Sequence, residues 1–263
     1  MVESMESIDR IIEFIAGRDP KFPSQIRGAA ADEVARLEAA VCRALPAVYR
    51  RFLERMGHSM GWLEIGNGQF QIEAQIRYHE QAVLQDPPDY LMIGRCSGDA
   101  CYDYYLWETR LAEDGETIRR VVSFPPPPSQ NFEAFARTRI RRIAGSLPQL
   151  LGDAALSTFC NHRLTYHRQV EGIGPDGTPR LPGLDELLRR HGLPPIWFSN
   201  DWRRSYERAD LLVTALESPA TGRLIVDVRA ENQPGLDAIY PEVRDYVKSS
   251  SPASRLDTPR LQG

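Results

Sequence analysis

The chain has 263 residues, 42% hydrophobic and 26% charged, which is the composition of a folded globular protein and excludes a disordered or fibrous one. Its formal net charge of −4 supplies no global field for nucleic acid, so a general nucleic-acid binder is not expected. No stretch approaches the ~20 apolar residues needed to span a bilayer, and the acidic start (Glu3, Glu6, Asp9, Glu13) is unlike a secretory signal.

The first element is an amphipathic helix with Ile8, Ile11, Ile12 and Ile15 on one face, ended by Gly17, Pro20 and Pro23. A second helix is predicted over residues 31–44. Its stripe is Val34, Leu37, Val41 and Leu45, and Asp32 and Glu33 suit its positive N-terminal end. Pro46 opens a third helix, residues 47–56, with Val48, Phe52 and Met56 on one face and Gly57 as a left-handed cap. The period then changes. Residues 90–93, 102–107 and 120–124 are short, β-branched and aromatic, and turn signals at Ser97-Gly98-Asp99 and Glu113-Asp114-Gly115 separate them. Pro125 to Pro128 stop the last strand. A long helix over 131–151 is expected next, its stripe running from Phe132 through Ile140 and Ile143 to Leu150.

After Gly152 the pattern starts afresh. Residues 162–170 read as a strand, 184–191 as a helix, 210–217 and 223–230 as a hairpin, and 236–247 as a closing helix. The predicted organisation is an N-terminal helix and linker (1–21), an α+β domain (22–152), a second small α+β domain (153–248) and a disordered Ser/Pro/Arg-rich tail (249–263). Cys42, Cys96, Cys101 and Cys160 sit singly in a chain large enough to need no staples, which argues for reduced thiols and a cytoplasmic location.

Residues 26–57 carry a recognisable series: Ile26-Arg27-Gly28, Glu33, Leu37-Glu38, Leu45-Pro46, Tyr49, Phe52-Leu53 and Gly57. Tyr90 to Gly94, Ser97-Gly98-Asp99 and Tyr102 to Trp107 follow, and then the segment from Asn131 to Leu151. In this order the pattern resembles the SUKH superfamily over about residues 22–152. The resemblance implies N-terminal helices, a central antiparallel sheet around a Gly-Asp turn and a closing helix. It also implies binding in place of catalysis. Bacterial members are immunity proteins that occlude a cognate toxin, often a nuclease, and fungal relatives are intracellular scaffolds.

Charge distribution supports a binding face independently. From Gln71 to Ile118 ten acidic residues stand against three arginines, a net of −7, with Tyr78, Tyr90, Tyr102, Tyr104, Tyr105 and Trp107 interleaved. From Arg119 to Ile143 six arginines stand against Glu133 alone. Aromatic anchors in an acidic field suit a basic protein partner, and the plain alternative is a solvated acidic face over core aromatics. The contact residues expected on this reading are Trp62, Glu64, Asp99, Tyr102, Asp103, Tyr104 and Glu108.

Chemistry finds less support. Cys160, His162 and His167 have zinc-type donors, but the spacing matches no structural motif, and a strand over 162–170 would turn 167 away from 160 and 162. Cys96 and Cys101 are five apart and read as small residues flanking a turn. Gly172 to Gly177 contains Pro175 and Asp176-Gly177 and reads as a surface loop, not a dinucleotide site. Trp197, Phe198, Trp202 and Tyr206 read as the core and rim of the second domain. No catalytic residue, metal or cofactor is expected. The expectation is a cytoplasmic immunity protein that binds a protein toxin, contacting neither nucleic acid nor membrane. A scaffold protein, or a metal-dependent enzyme in the second domain, are the alternatives; a neighbouring gene for a secreted toxin would favour immunity.

Overall fold

A computed structural model describes residues 6–81, 89–96, 103–110, 117–124, 141–174, 180–218 and 221–249. The chain divides into two compact units, Met1–Ala155 and Leu156–Gly263. Both are α+β, and among the described residues all three sheets are antiparallel.

The first unit opens with α1 (Glu6–Ala16), α2 (Phe22–Gln25) and β1 (Ile26–Arg27), followed by α3 (Ala31–Ala40) and α4 (Ala47–Met56). Ile8, Ile11, Ile12 and Ile15 of α1 are all buried, as their three-one-three spacing requires. The helix is tied to α4 by Arg51, which donates to both carboxylate oxygens of Asp9 at 2.9 and 3.1 Å. Helix α3 ends four residues before its expected limit. Cys42 adopts φ +54°, a left-handed turn that ends the helical ladder, and Cys42 N–H donates to Ala39 O.

Two expectations about α4 divide. Tyr49, Phe52 and Leu53 are wholly buried, and Pro46 precedes the first turn. Gly57, however, is right-handed at φ −63°, so it is not a left-handed cap. Its need for glycine is steric: a Cβ there would stand 2.5 Å from Leu53 O and 2.9 Å from the Ala29 Cβ. Gly28 meets the same crossing from the other side, where a Cβ would fall 1.8 Å from Glu54 O. Ala29 N–H donates to Leu53 O and His58 N–H to Arg27 O, each at 2.9 Å, which stitches β1 to the end of α4. Beyond the crossing, β2 (Ser59–Met60) pairs with β1.

The main sheet is a meander in the order β3 (Gly68–Gln69), β4 (Tyr90–Cys96), β5 (Asp103–Arg110), β6 (Thr117–Phe124), β7 (Arg141–Ala144), with α5 (Ile72–Glu80) between β3 and β4. The continuous helix expected over 131–151 is corrected here. Arg141–Ala144 is a strand, with Ala144 opposite Val121 and Arg142 opposite Val122, and residues 125–140 lie outside the described set. Helix α6 (Leu147–Arg163) starts afterwards because Ser146 caps it: Ser146 Oγ accepts Gln149 N–H, and Gln149 Oε1 accepts Gly145 N–H at 2.7 Å.

The second unit is a four-stranded sheet in the order β8 (Tyr166–Ile173), β11 (Arg223–Ala230), β10 (Leu211–Ser218), β9 (Arg203–Arg208), with α7 (Leu181–Arg190) and α8 (Gln233–Ser249). The hairpin β10–β11 forms as predicted, Val213 opposite Val228. Strand β8 begins four residues late, because His162 still belongs to α6. Alternate residues Val213, Ala215, Val226 and Val228 face Leu184, Leu188, Ile239 and Val243 in one core. Phe198, Trp202 and Tyr206 are buried, so that aromatic cluster is core material.

Arg180 is an unusual member of this interior, at 5% exposure. Its Nη2 donates to Gly172 O and Gly222 O at 2.8 Å, and Glu217 accepts the backbone N–H groups of Arg180 and Leu181 at 2.8 and 3.3 Å. The guanidinium thus joins β8 to the turn before β11, and its carboxylate partner caps α7. Arg180→Leu should leave Gly172 O and Gly222 O without these donors and buried Glu217 without its cation, lowering the unfolding free energy by about 3–5 kcal/mol, measurable by urea titration. Arg180→Leu combined with Glu217→Leu should recover most of the loss.

Candidate functional site

Three ionisable side chains from separate elements meet at the glycine crossing. His58 follows Gly57 directly, with its N–H anchored on Arg27 O. Its ring lies between two carboxylates: Nδ1 is 2.5 Å from Glu73 Oε1, and Nε2 is 2.8 Å from Glu33 Oε2. The ring thus sets one nitrogen against each carboxylate.

Glu33 is the third residue of α3 and Glu73 the second of α5. Both stand in first turns, where the helix dipole favours an anion. Glu33 also accepts Ala30 N–H at 2.8 Å. That backbone bond, helped by His58, holds its carboxyl below the ordinary carboxylate range. Ile72 N–H donates to Gly57 O at 2.8 Å and fixes the start of α5 against the same crossing. The trio is therefore placed by backbone bonds on three sides.

A shallow groove of about 250 Å³ opens beside it, lined by Glu33, Arg36, Glu73, Ile76, Arg77 and Glu80. Arg36 spans it from α3 to α5 by a two-pronged pair with Glu80, at 2.7 and 2.6 Å. At the far end of α5, burial and then the charge of Arg43 depress the His79 imidazole to about 4.

Of the predicted contact residues, three are engaged in internal packing in the first unit. Trp62 is half-buried, its Nε1–H donating to Asp19 at 2.8 Å and its ring 5.3 Å from that of Phe22. Tyr104 packs on Phe70 at 5.2 Å between ring centroids, and burial pushes its phenol up. Asp103 is 3% exposed and accepts Cys96 N–H at 2.9 Å, so it straps β5 to β4 and offers no open carboxylate. Glu64 is exposed. Glu108 lies in β5, with its side chain outside the described set, as are Asp99 and Tyr102 altogether. Cys160 and His162 sit in the last turns of α6 and not on a strand, while His167, on β8, faces Asp227 at 2.6 Å. The Glu33–His58–Glu73 trio was not anticipated. Its members are 25 and 15 residues apart, and no local motif links them.

Two tests follow from this geometry. His58→Ala should leave two carboxylates facing each other and lower stability by about 1–2 kcal/mol. The folded state keeps His79 neutral down to about pH 4, whereas the unfolded chain takes up a proton below its ordinary 6.5. The stability His79 contributes is thus complete above 6.5 and lost as pH falls towards 4. Melting temperatures should decline across that window, and His79→Gln should flatten the decline. No family model, curated protein or solved structure matches this chain.

Proposed function

We propose that the chain is a binding protein that neutralises a cognate protein toxin by occlusion, in the manner of SUKH-type immunity proteins. The observation that carries this reading is the fate of the 26–57 series. Tyr49, Phe52 and Leu53 fill the core, Leu45-Pro46 makes the joint between α3 and α4, and Gly28 and Gly57 permit the crossing. These described residues each have a structural task, and the helices lead into an antiparallel sheet as the resemblance implies, although the segment expected as its closing helix contains the strand Arg141–Ala144. Fold likeness does not dictate function, so the step to toxin binding rests on this analogy together with charge.

The partner expected is a basic protein, met in the cytoplasm and held without covalent chemistry. Glu64 and Asp89 are exposed in the first unit, and Glu73 and Glu80 are about half exposed beside the groove. Such charges steer encounter and select a partner, while buried aromatic contacts supply affinity. Among the described residues no helix is long and apolar enough to cross a membrane.

Co-expression with the product of the adjacent open reading frame tests the reading. Rescue of growth and a stable complex are expected; toxicity without rescue or complex would overturn it. Within such a complex, Glu64→Lys should slow association several-fold and weaken its salt dependence, with dissociation little changed. Asp103→Lys is a poor probe, since it would place a charge in the sheet interior.

A further inference from the structure

We propose that Glu33, His58 and Glu73 form a binding site for a divalent transition-metal ion, with His58 and Glu33 as ligands and Glu73 as the residue that orients the imidazole. One ligand atom from each of the three lies within 4.8 Å of the others. Imidazole nitrogen with carboxylate oxygen is a donor set that suits zinc and its first-row neighbours. A tetrahedral ion bound at about 2.0–2.1 Å holds adjacent donors roughly 3.3 Å apart. The His58 Nε2 to Glu33 Oε2 distance is 2.8 Å, so the pair need open by only ~0.5 Å to admit the ion.

The second carboxylate is where a metal-binding histidine needs one. Glu73 Oε1 accepts from Nδ1 at 2.5 Å, which fixes the ring and directs Nε2 at Glu33. A carboxylate on the outer nitrogen of a ligating imidazole sets its tautomer and raises its basicity. The ion takes the place of the Nε2 proton, which leaves to solvent, while the Nδ1 proton stays on the bond to Glu73.

Access and rigidity complete the case. Glu33 and Glu73 line the open groove, so water can reach the ion and fill its remaining positions. Glu33 is held by Ala30 N–H, His58 by Arg27 O, and α5 by Gly57 O, so the donors are positioned before any ion arrives. Arg27, Arg36 and Arg77 are cations on this side; Arg27 acts on Glu33, Arg36 is engaged by Glu80, and Arg77 lines the same groove. The inference is independent of toxin binding.

The test is calorimetric titration of Zn²⁺ into the full chain after chelation and dialysis, with Co²⁺ absorption as a second readout. One equivalent should bind in the wild type. Glu33→Gln and His58→Ala should each weaken that event at least tenfold, and Glu73→Gln should weaken it by about 10–100-fold. Arg36→Ala should leave it intact. Circular dichroism confirms that each variant is folded, and Glu33→Gln, which preserves shape, decides the matter if His58→Ala is not. Absence of stoichiometric binding by the wild type would overturn the assignment, as would equal binding by Glu33→Gln with an unchanged Co²⁺ spectrum.

Discussion

The first unit depends on two backbone segments touching where neither can carry a side chain. At the crossing of β1 with the end of α4, a Cβ on Gly28 would overlap Glu54 O at 1.8 Å, and one on Gly57 would press on Leu53 O at 2.5 Å. The contact lets Ala29 N–H donate to Leu53 O and His58 N–H to Arg27 O across it, next to the β1–β2 pair. It also determines where His58 emerges, between the first turns of α3 and α5. Substituting either glycine would therefore affect packing, strand pairing and the charged trio together.

How much of this was readable follows from the range of the interactions involved. Ile8, Ile11, Ile12 and Ile15 declare a helix within one window, and Val213 to Val228 declare a hairpin across a short turn. The strand at Arg141–Ala144 was hidden because Ile140, Ile143 and Leu147 also fit a helical stripe. The local signal that could have corrected it is Ser146-Leu147-Pro148-Gln149, a capping sequence that starts a helix at 147. Asp103 was misjudged for a similar reason. Charge suggests exposure, but a carboxylate that accepts a neighbouring strand's N–H can be buried at small cost. The His58 trio lay beyond local reading altogether, since tertiary packing brings α3 and α5 to either side of α4's end.

The functional account joins two kinds of evidence. Tyr49, Phe52 and Leu53 build the core, and Gly28 and Gly57 build the crossing, which ties those positions of the 26–57 series to packing. Contact surfaces are drawn from what the core leaves outside, and here Trp62, Asp103 and Tyr104 are committed to internal packing. Surface acidity, by contrast, remains on Glu64, Asp89 and the groove margin. On the proposed reading the chain would cover a cleft, so its potency would be set by stoichiometric complementarity and not by turnover.

The most direct measurement is the activity of the purified cognate toxin titrated with this purified chain. The account expects activity to fall linearly and vanish at one-to-one equivalence, without loss of the chain or modification of the toxin. Full toxin activity in the presence of a large excess of folded chain would contradict it.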